Sequence, residues 1–233
     1  MAEQHEEKQI DPSEARGRTF SEKVKNCDEG MKVVGLDEVA AESGATGAVF
    51  VEDAGEHVDC APLISTYGPL VGKSRDFWMD TPTRRALLAT SPELARRQNG
   101  DTLMFAELEA QIAGAPPEVR PFLQQVLSDA KQFRALFPKK KLMGISLGLD
   151  KGPANAQNWH RDGERGISDS GITRIIKTYH GPGTEFASED GARKVSTPKN
   201  GISVHTTGPG SVQHRGPEVP RGQWRVRLQI ELY

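Results

Sequence analysis

From residue 141 onward the chain consists of short β-like runs separated by glycine, proline and asparagine. LMGISLGLD (142–150), GITRIIKTYHG (171–181), NGISVHTTG (200–208), GSVQHRG (210–216) and WRVRLQIELY (224–233) each read as a strand. Several short strands punctuated by turn signals restrict this segment to a sandwich or a barrel. The last run alternates strictly. Arg225, Arg227, Gln229 and Glu231 share one face, while Val226, Leu228, Ile230 and Leu232 share the other. In GPGTEF (181–186), Pro182 fixes one φ and Gly183 frees the next, which predicts a tight turn at the rim of a pocket.

The preceding half has a different period. PPEVRPFLQQVLSDAKQFRALFP (116–138) spaces Val119, Phe122, Leu123, Val126, Leu127, Ala130 and Phe133 three and four apart, as one buried helix face requires. DTLMFAELEAQIAG (101–114) is rich in helix formers and stops at Gly114. Thr81-Pro82 and Ser91-Pro92 offer two more helix starts, each a hydroxyl cap followed by proline. Upstream, β-branched runs near 32–35 and 48–51 flank a helix, and APLISTYGPL (61–70) reads as loop. Residues 1–30 read as a mobile charged arm. A chain of 233 residues suffices for one well-buried core.

Composition excludes several classes. A formal net charge of −2 argues against a dedicated nucleic-acid binder, although residues 151–233 are mildly basic. Cys27 and Cys60 form neither a disulfide framework nor a C-x-x-C pair, as expected of a protein in a reducing cytoplasm. No apolar run is long enough to span a membrane, and the N-terminus lacks the apolar centre of a signal peptide.

NAQNWHRDGERG (155–166) concentrates the chemistry, because His160 and Asp162 stand two apart directly after Trp159. His-Arg-Asp also occurs in the catalytic loop of protein kinases, but that loop needs Asn where Ile167 stands, and neither Asp-Phe-Gly nor a Gly-rich ATP loop is present. An iron site fits better. At a strand end, H-x-D points two ligands the same way, and His214 in a later strand-like run can supply the third. Arg225 and Arg227, farther on, offer a guanidinium fork for a carboxylate. Lys177 and Tyr179 share a face of another strand, and either can hydrogen-bond an anionic cosubstrate. His180 and His205 are alternative ligands, with His180 expected at a turn and His205 on a partly exposed strand. Trp159 is expected to pack in the core beside the site.

This order of residues resembles the 2-oxoglutarate-dependent, Fe(II) non-haem dioxygenases, which share H-x-D, a later His and then an Arg. The segments NWHRD, KTYHGPGTEF and HRGPEVPRGQWRVRLQIEL also resemble a bacterial domain family of unassigned chemistry, marked by W-H-x-D, T-Y-x-G-P-G-T and H-R-x-P. The resemblance implies an α+β protein, with a double-stranded β-helix (jelly roll or cupin-like) and a helical N-terminal portion packed on it. Residues 31–233 would form a single catalytic domain, with 31–140 as helical support and 141–233 as the β-sandwich carrying the metal. His160, Asp162 and His214 would bind Fe(II). The broader group's spacing favours Arg225 as the anchor of 2-oxoglutarate, whereas the narrower alignment favours Arg227. The implied activity is an oxidoreductase that uses dioxygen to hydroxylate a small molecule such as an amino acid or a natural-product intermediate. Two other readings keep the metal: a cupin-like enzyme without 2-oxoglutarate, and a non-enzymatic metal-binding protein.

Overall fold

The structure, a computed structural model, describes residues 19–43, 47–55, 57–71, 74–76, 100–154, 156–162, 171–208 and 210–233. The helix starts expected at Thr81-Pro82 and Ser91-Pro92 lie outside the described residues.

The fold is mixed α+β around one large, mostly antiparallel sheet. Its helices are α1 (Phe20–Cys27), α2 (Val39–Glu42), α3 (Ala61–Tyr67), α4 (Gly100–Gly114) and α5 (Arg120–Ala135). Its strands are β1 (Lys32–Val33), β2 (Ala48–Val51), β3 (Ser74–Asp76), β4 (Leu142–Lys151), β5 (Thr173–His180), β6 (Glu185–Ala187), β7 (Lys194–Ser196), β8 (Ile202–Thr206), β9 (Gln213–Arg215) and β10 (Trp224–Leu232). Seven strands form the major sheet in the order β1-β2-β8-β5-β10-β4-β3, and β7-β6-β9 form a minor one. Among the described strands of the major sheet, the β1–β2 pair is parallel and the others pair antiparallel.

The period-2 pattern determines what each face of the major sheet does. Val226, Leu228 and Ile230 pair with Leu149, Leu147 and Ile145, giving an apolar face continued by Ile175, Ile202, Val204, Val49 and Val51. Helix α5 lays Phe122, Val126, Ala130 and Phe133 against this face, and α4 adds Leu108 and Ile112. On the opposite face Phe50 of β2 meets Phe186 of β6 edge to face at 5.1 Å, which joins the two sheets in a second apolar cluster. Truncating Phe186 to Ala would therefore cost about 3–5 kcal/mol. The polar residues of β4, β5, β8 and β10 on this second face surround the site.

Two expectations need correction. The 61–70 stretch is not loop: α3 runs into a 3-10 turn at Gly68–Leu70. Asp59 Oδ1 accepts the Ala61 amide at 2.9 Å, and Pro62 stands in the first turn, so two of the first-turn positions leave no free amide despite the turn-like composition. The arm expected over residues 1–30 ends sooner, because α1 lies within it. Thr19 and Glu22 close a capping box, and Val24 and Cys27 are buried in the second cluster. Among the described residues no helix is long and apolar enough to cross a membrane.

Candidate metal centre

His160 and His214 are brought together by backbone pairing. Each donates its amide to the other's carbonyl, at 3.1 and 3.0 Å, in an isolated antiparallel bridge that extends the minor sheet beyond β9. Their rings lie 4.5 Å apart. The Asp162 carbonyl accepts from the Gly208 amide at 2.8 Å and from Ser211 Oγ at 3.2 Å, which ties the H-x-D segment to the β8–β9 connection. His160, Asp162 and His214 each offer one ligand atom, and these atoms all lie within 4.8 Å of one another.

The hydrogen bonds determine the tautomers of the two histidines. His160 Nδ1 donates to the Asn158 carbonyl at 2.9 Å, and His214 Nδ1 donates to the Val212 carbonyl at 3.2 Å. With Nδ1 so engaged, Nε2 is the nitrogen each ring offers to the cluster. His214 Nε2 stands 3.2 Å from Asp162 Oδ2, and His160 Nε2 stands 3.8 Å from Oδ1. Two lone pairs facing a carboxylate repel unless a cation lies between them. Two imidazole nitrogens and one carboxylate oxygen are the donor set of the facial triad of non-haem Fe(II) sites, so these residues fit such a metal.

Three more groups shape the centre. Arg174 of β5 donates Nη1 to Asp162 Oδ2 and Nη2 to Glu231 Oε1, the latter at 2.8 Å. His205 of β8 places Nε2 3.3 Å from Asp162 Oδ2. Burial alone would raise the Asp162 pKa, but a hydrogen bond from His205 and the Arg174 guanidinium hold it well below the usual carboxylate range. Burial pushes His205 down to about 4, so its ring is neutral. His205 is 1 % exposed, not the partly exposed residue expected from its run, because Phe186 and Asp162 cover it.

A cavity of about 110 Å³ opens beside the triad, lined in part by His160, His214, Arg174, Arg225, Arg227 and Gln229. This volume admits a small ligand rather than a drug-sized one. Arg225 donates Nε to the Pro182 carbonyl at 3.0 Å and Nη2 to Thr184 Oγ1 at 2.9 Å, so the GPGT turn does rim the pocket. Gly181 makes this turn possible: it has φ +79°, and a Cβ there would meet the Trp224 carbonyl oxygen at 2.1 Å. Arg227 Nη1 reaches Gln229 Oε1 at 3.4 Å, and Asp150 Oδ2 lies 3.5 Å from Arg225 Nη1 and 3.7 Å from Arg227 Nε.

Lys177 and Tyr179 do not reach this cavity. They point to the helix face of β5, where Lys177 Nζ and Tyr179 Oη both bind Asp129 of α5, at 2.9 and 2.6 Å. The alternation of β5 aims Arg174 and Ile176 at the cavity instead. His180 stands at the end of β5, outside the triad. Trp159 is not in the core. The Arg215 guanidinium lies 4.5 Å from its ring centre and Lys194 Nζ 5.7 Å, on the outer face of the minor sheet. Sequence reading missed Arg174, Asp150, Thr184 and Glu231. Arg174 carries a signal, since it shares the strand GITRIIKTYHG with Lys177 and stands on the other alternation.

The sequence matches no protein-family model and no curated protein. Solved structures resemble its fold. A prolyl-4-hydroxylase from Pseudomonas putida aligns over 85% of this chain and 98% of its own, at 13% identity and a TM-score of 0.48. A viral collagen prolyl hydroxylase from Paramecium Bursaria Chlorella virus-1, solved as a 2-oxoglutarate complex, aligns over 79% of this chain and 94% of its own, at 10% identity and 0.42. An oxidoreductase of the 2OG-Fe(II) oxygenase family from Burkholderia pseudomallei aligns over 88% of this chain and 91% of its own, at 14% identity and 0.43. With TM-scores below 0.5, these likenesses leave the functional reading to rest on the side chains.

Proposed function

We propose that this protein is an Fe(II)- and 2-oxoglutarate-dependent dioxygenase that hydroxylates a small molecule, such as an amino acid or a natural-product intermediate. The observation that carries the reading is the convergence of His160, Asp162 and His214 beside a cavity lined by Arg225 and Arg227. With both bound, Fe(II) and 2-oxoglutarate supply dioxygen activation, in which decarboxylation to succinate is coupled to hydroxylation of a C–H bond. The two histidines and Asp162 would hold the metal at the edge of the cavity. Arg225 and Arg227 receive the far carboxylate of 2-oxoglutarate. The major and minor sheets serve as the two walls of a double-stranded β-helix, within one catalytic domain that includes α1. Phe186 and Phe50 exclude water from behind the metal ligands.

The test combines binding with turnover. Protein loaded with Fe(II) should bind one metal ion per chain and slowly convert 2-oxoglutarate to succinate, even without its own substrate. His214→Ala should lose stoichiometric metal and keep a cooperative thermal melt. Metal binding without succinate, and without metal-dependent 2-oxoglutarate binding in calorimetry, would identify a cupin-like or metal-handling protein instead.

A further inference from the structure

We propose that Arg174 and His205 are positioning residues that clamp one oxygen of Asp162, so that this carboxylate gives the metal a single oxygen. The inference rests on the metal-centre reading above. It starts from strand register. Arg174 and His205 are directly opposed on β5 and β8, and Arg174 is opposed on its other side by Glu231 of β10. Directly opposed residues project side by side from one face, so the three form a row beneath Asp162. Arg174 Nη1 and His205 Nε2 both converge on Oδ2. Glu231 holds the other arm of the guanidinium at 2.8 Å.

The hydrogen-bond pattern separates His205 from the ligand histidines. In His160 and His214, Nδ1 is spent on a backbone carbonyl and Nε2 is left as a lone pair. His205 shows the reverse. Its buried Nδ1 has no hydrogen-bond partner, and its Nε2 sits against a carboxylate, an arrangement that places the proton on Nε2. His205 is therefore a donor to Asp162 rather than a metal ligand. Oδ2 is taken by these two donors and also lies 3.2 Å from His214 Nε2, whereas Oδ1 faces His160 Nε2 at 3.8 Å and is the oxygen left to the metal. A carboxylate that chelated through both oxygens would use one more coordination position. The clamp would thus limit Asp162 to one ligand oxygen on any metal held here.

Cobalt(II) is a suitable probe, because its visible ligand-field bands report the ligand arrangement without turnover. The wild-type chain should bind one Co(II). His205→Leu should bind it about 10–100-fold more weakly, with shifted bands. His205→Gln, which restores an N–H donor, should recover most of that loss. Arg174→Met tests the other half of the clamp at a partly exposed position, and decides the question alone if His205→Leu does not fold. It should shift the bands in the same way, and Arg174→Lys should restore them. Wild-type affinity and spectrum in both His205→Leu and Arg174→Met, with binding still abolished in His214→Ala, would overturn the clamp and leave the metal centre standing. A glutamine variant as weak as the leucine one would overturn the donor role of His205. A wild-type chain that binds no Co(II) would overturn the clamp and the metal-centre reading together.

Discussion

Strand β5 carries two cations into the interior, one on each face of the major sheet. Lys177, on the helix face, is fully buried. Its ammonium donates to the Ala54 carbonyl at 2.5 Å and to Asp129 at 2.9 Å, while Tyr179 and Gln125 complete the Asp129 carboxylate at 2.6 and 3.0 Å. Arg174, on the cavity face, binds Asp162 and Glu231, and its buried Nε has no hydrogen-bond partner. The first arrangement is closed: every charge is matched by a neighbour that packing holds in place. The second borders open space and shares its carboxylates with neighbouring groups. A buried ion pair sealed by helices reports on folding, whereas one facing a cavity reports on ligands.

The helix face gives the largest stability effect. Asp129→Ala should destabilise the protein by about 3–5 kcal/mol in urea unfolding, because it strands a buried ammonium. Metal affinity of the folded fraction should not change. A variant carrying both Asp129→Leu and Lys177→Met should regain most of that stability. If Lys177→Met weakened 2-oxoglutarate binding on its own, the two faces would not be separate.

The cavity face should respond through ligand affinity. Arg227→Ala should raise the 2-oxoglutarate dissociation constant by about thirty- to several-thousand-fold, the equivalent of about 2–5 kcal/mol, with little change in melting temperature. Arg225→Ala should raise the dissociation constant and also lower the melting temperature, since Arg225 also holds the Pro182 carbonyl and Thr184. Calorimetry beside thermal melts separates the two. Wild-type affinity in both variants would place the acid-binding group elsewhere.

The smallest effect is on pH dependence in metal-chelated buffer. The folded pKa of His205 is depressed to about 4 by burial, so the unfolded chain binds its proton first as pH falls. Stability is therefore present above the unfolded value near 6.5 and lost as pH drops towards 4, by of the order of 2–3 kcal/mol. His205→Leu should flatten this part of the stability curve. An unchanged slope in that variant would mean that His205 is not held neutral.

The sequence made some of this geometry legible and hid the rest for identifiable reasons. The alternation in WRVRLQIELY correctly places Arg225, Arg227 and Gln229 on one face, because one set of alternate residues is wholly aliphatic. TRIIKTYH has polar residues on both alternations, so its pattern cannot tell which face meets the cavity. Lys177 and Tyr179 look like cosubstrate ligands only as long as Asp129, far away in the chain, is ignored. Trp159 reads as core by type, yet with His160 directed at His214 and Asp162 its neighbour Trp159 lies half-buried against Arg215. Strands β6 and β7 are three residues each, too short for periodicity to register.

By itself the sequence determined what local periodicity and residue chemistry can encode. It set the amphipathic helix over Arg120–Ala135, the strand-rich C-terminal half and the set of metal-type donors in NWHRD and SVQHRG. Tertiary structure alone decided which carboxylate each buried cation meets. Lys177 finds Asp129 because α5 packs across the apolar face of the major sheet. Arg174 and His205 find Asp162 because the β8–β9 connection holds the H-x-D segment above the other face. The reason is physical: charge pairing depends on distance in space and on exclusion of water, and only the packed chain specifies either.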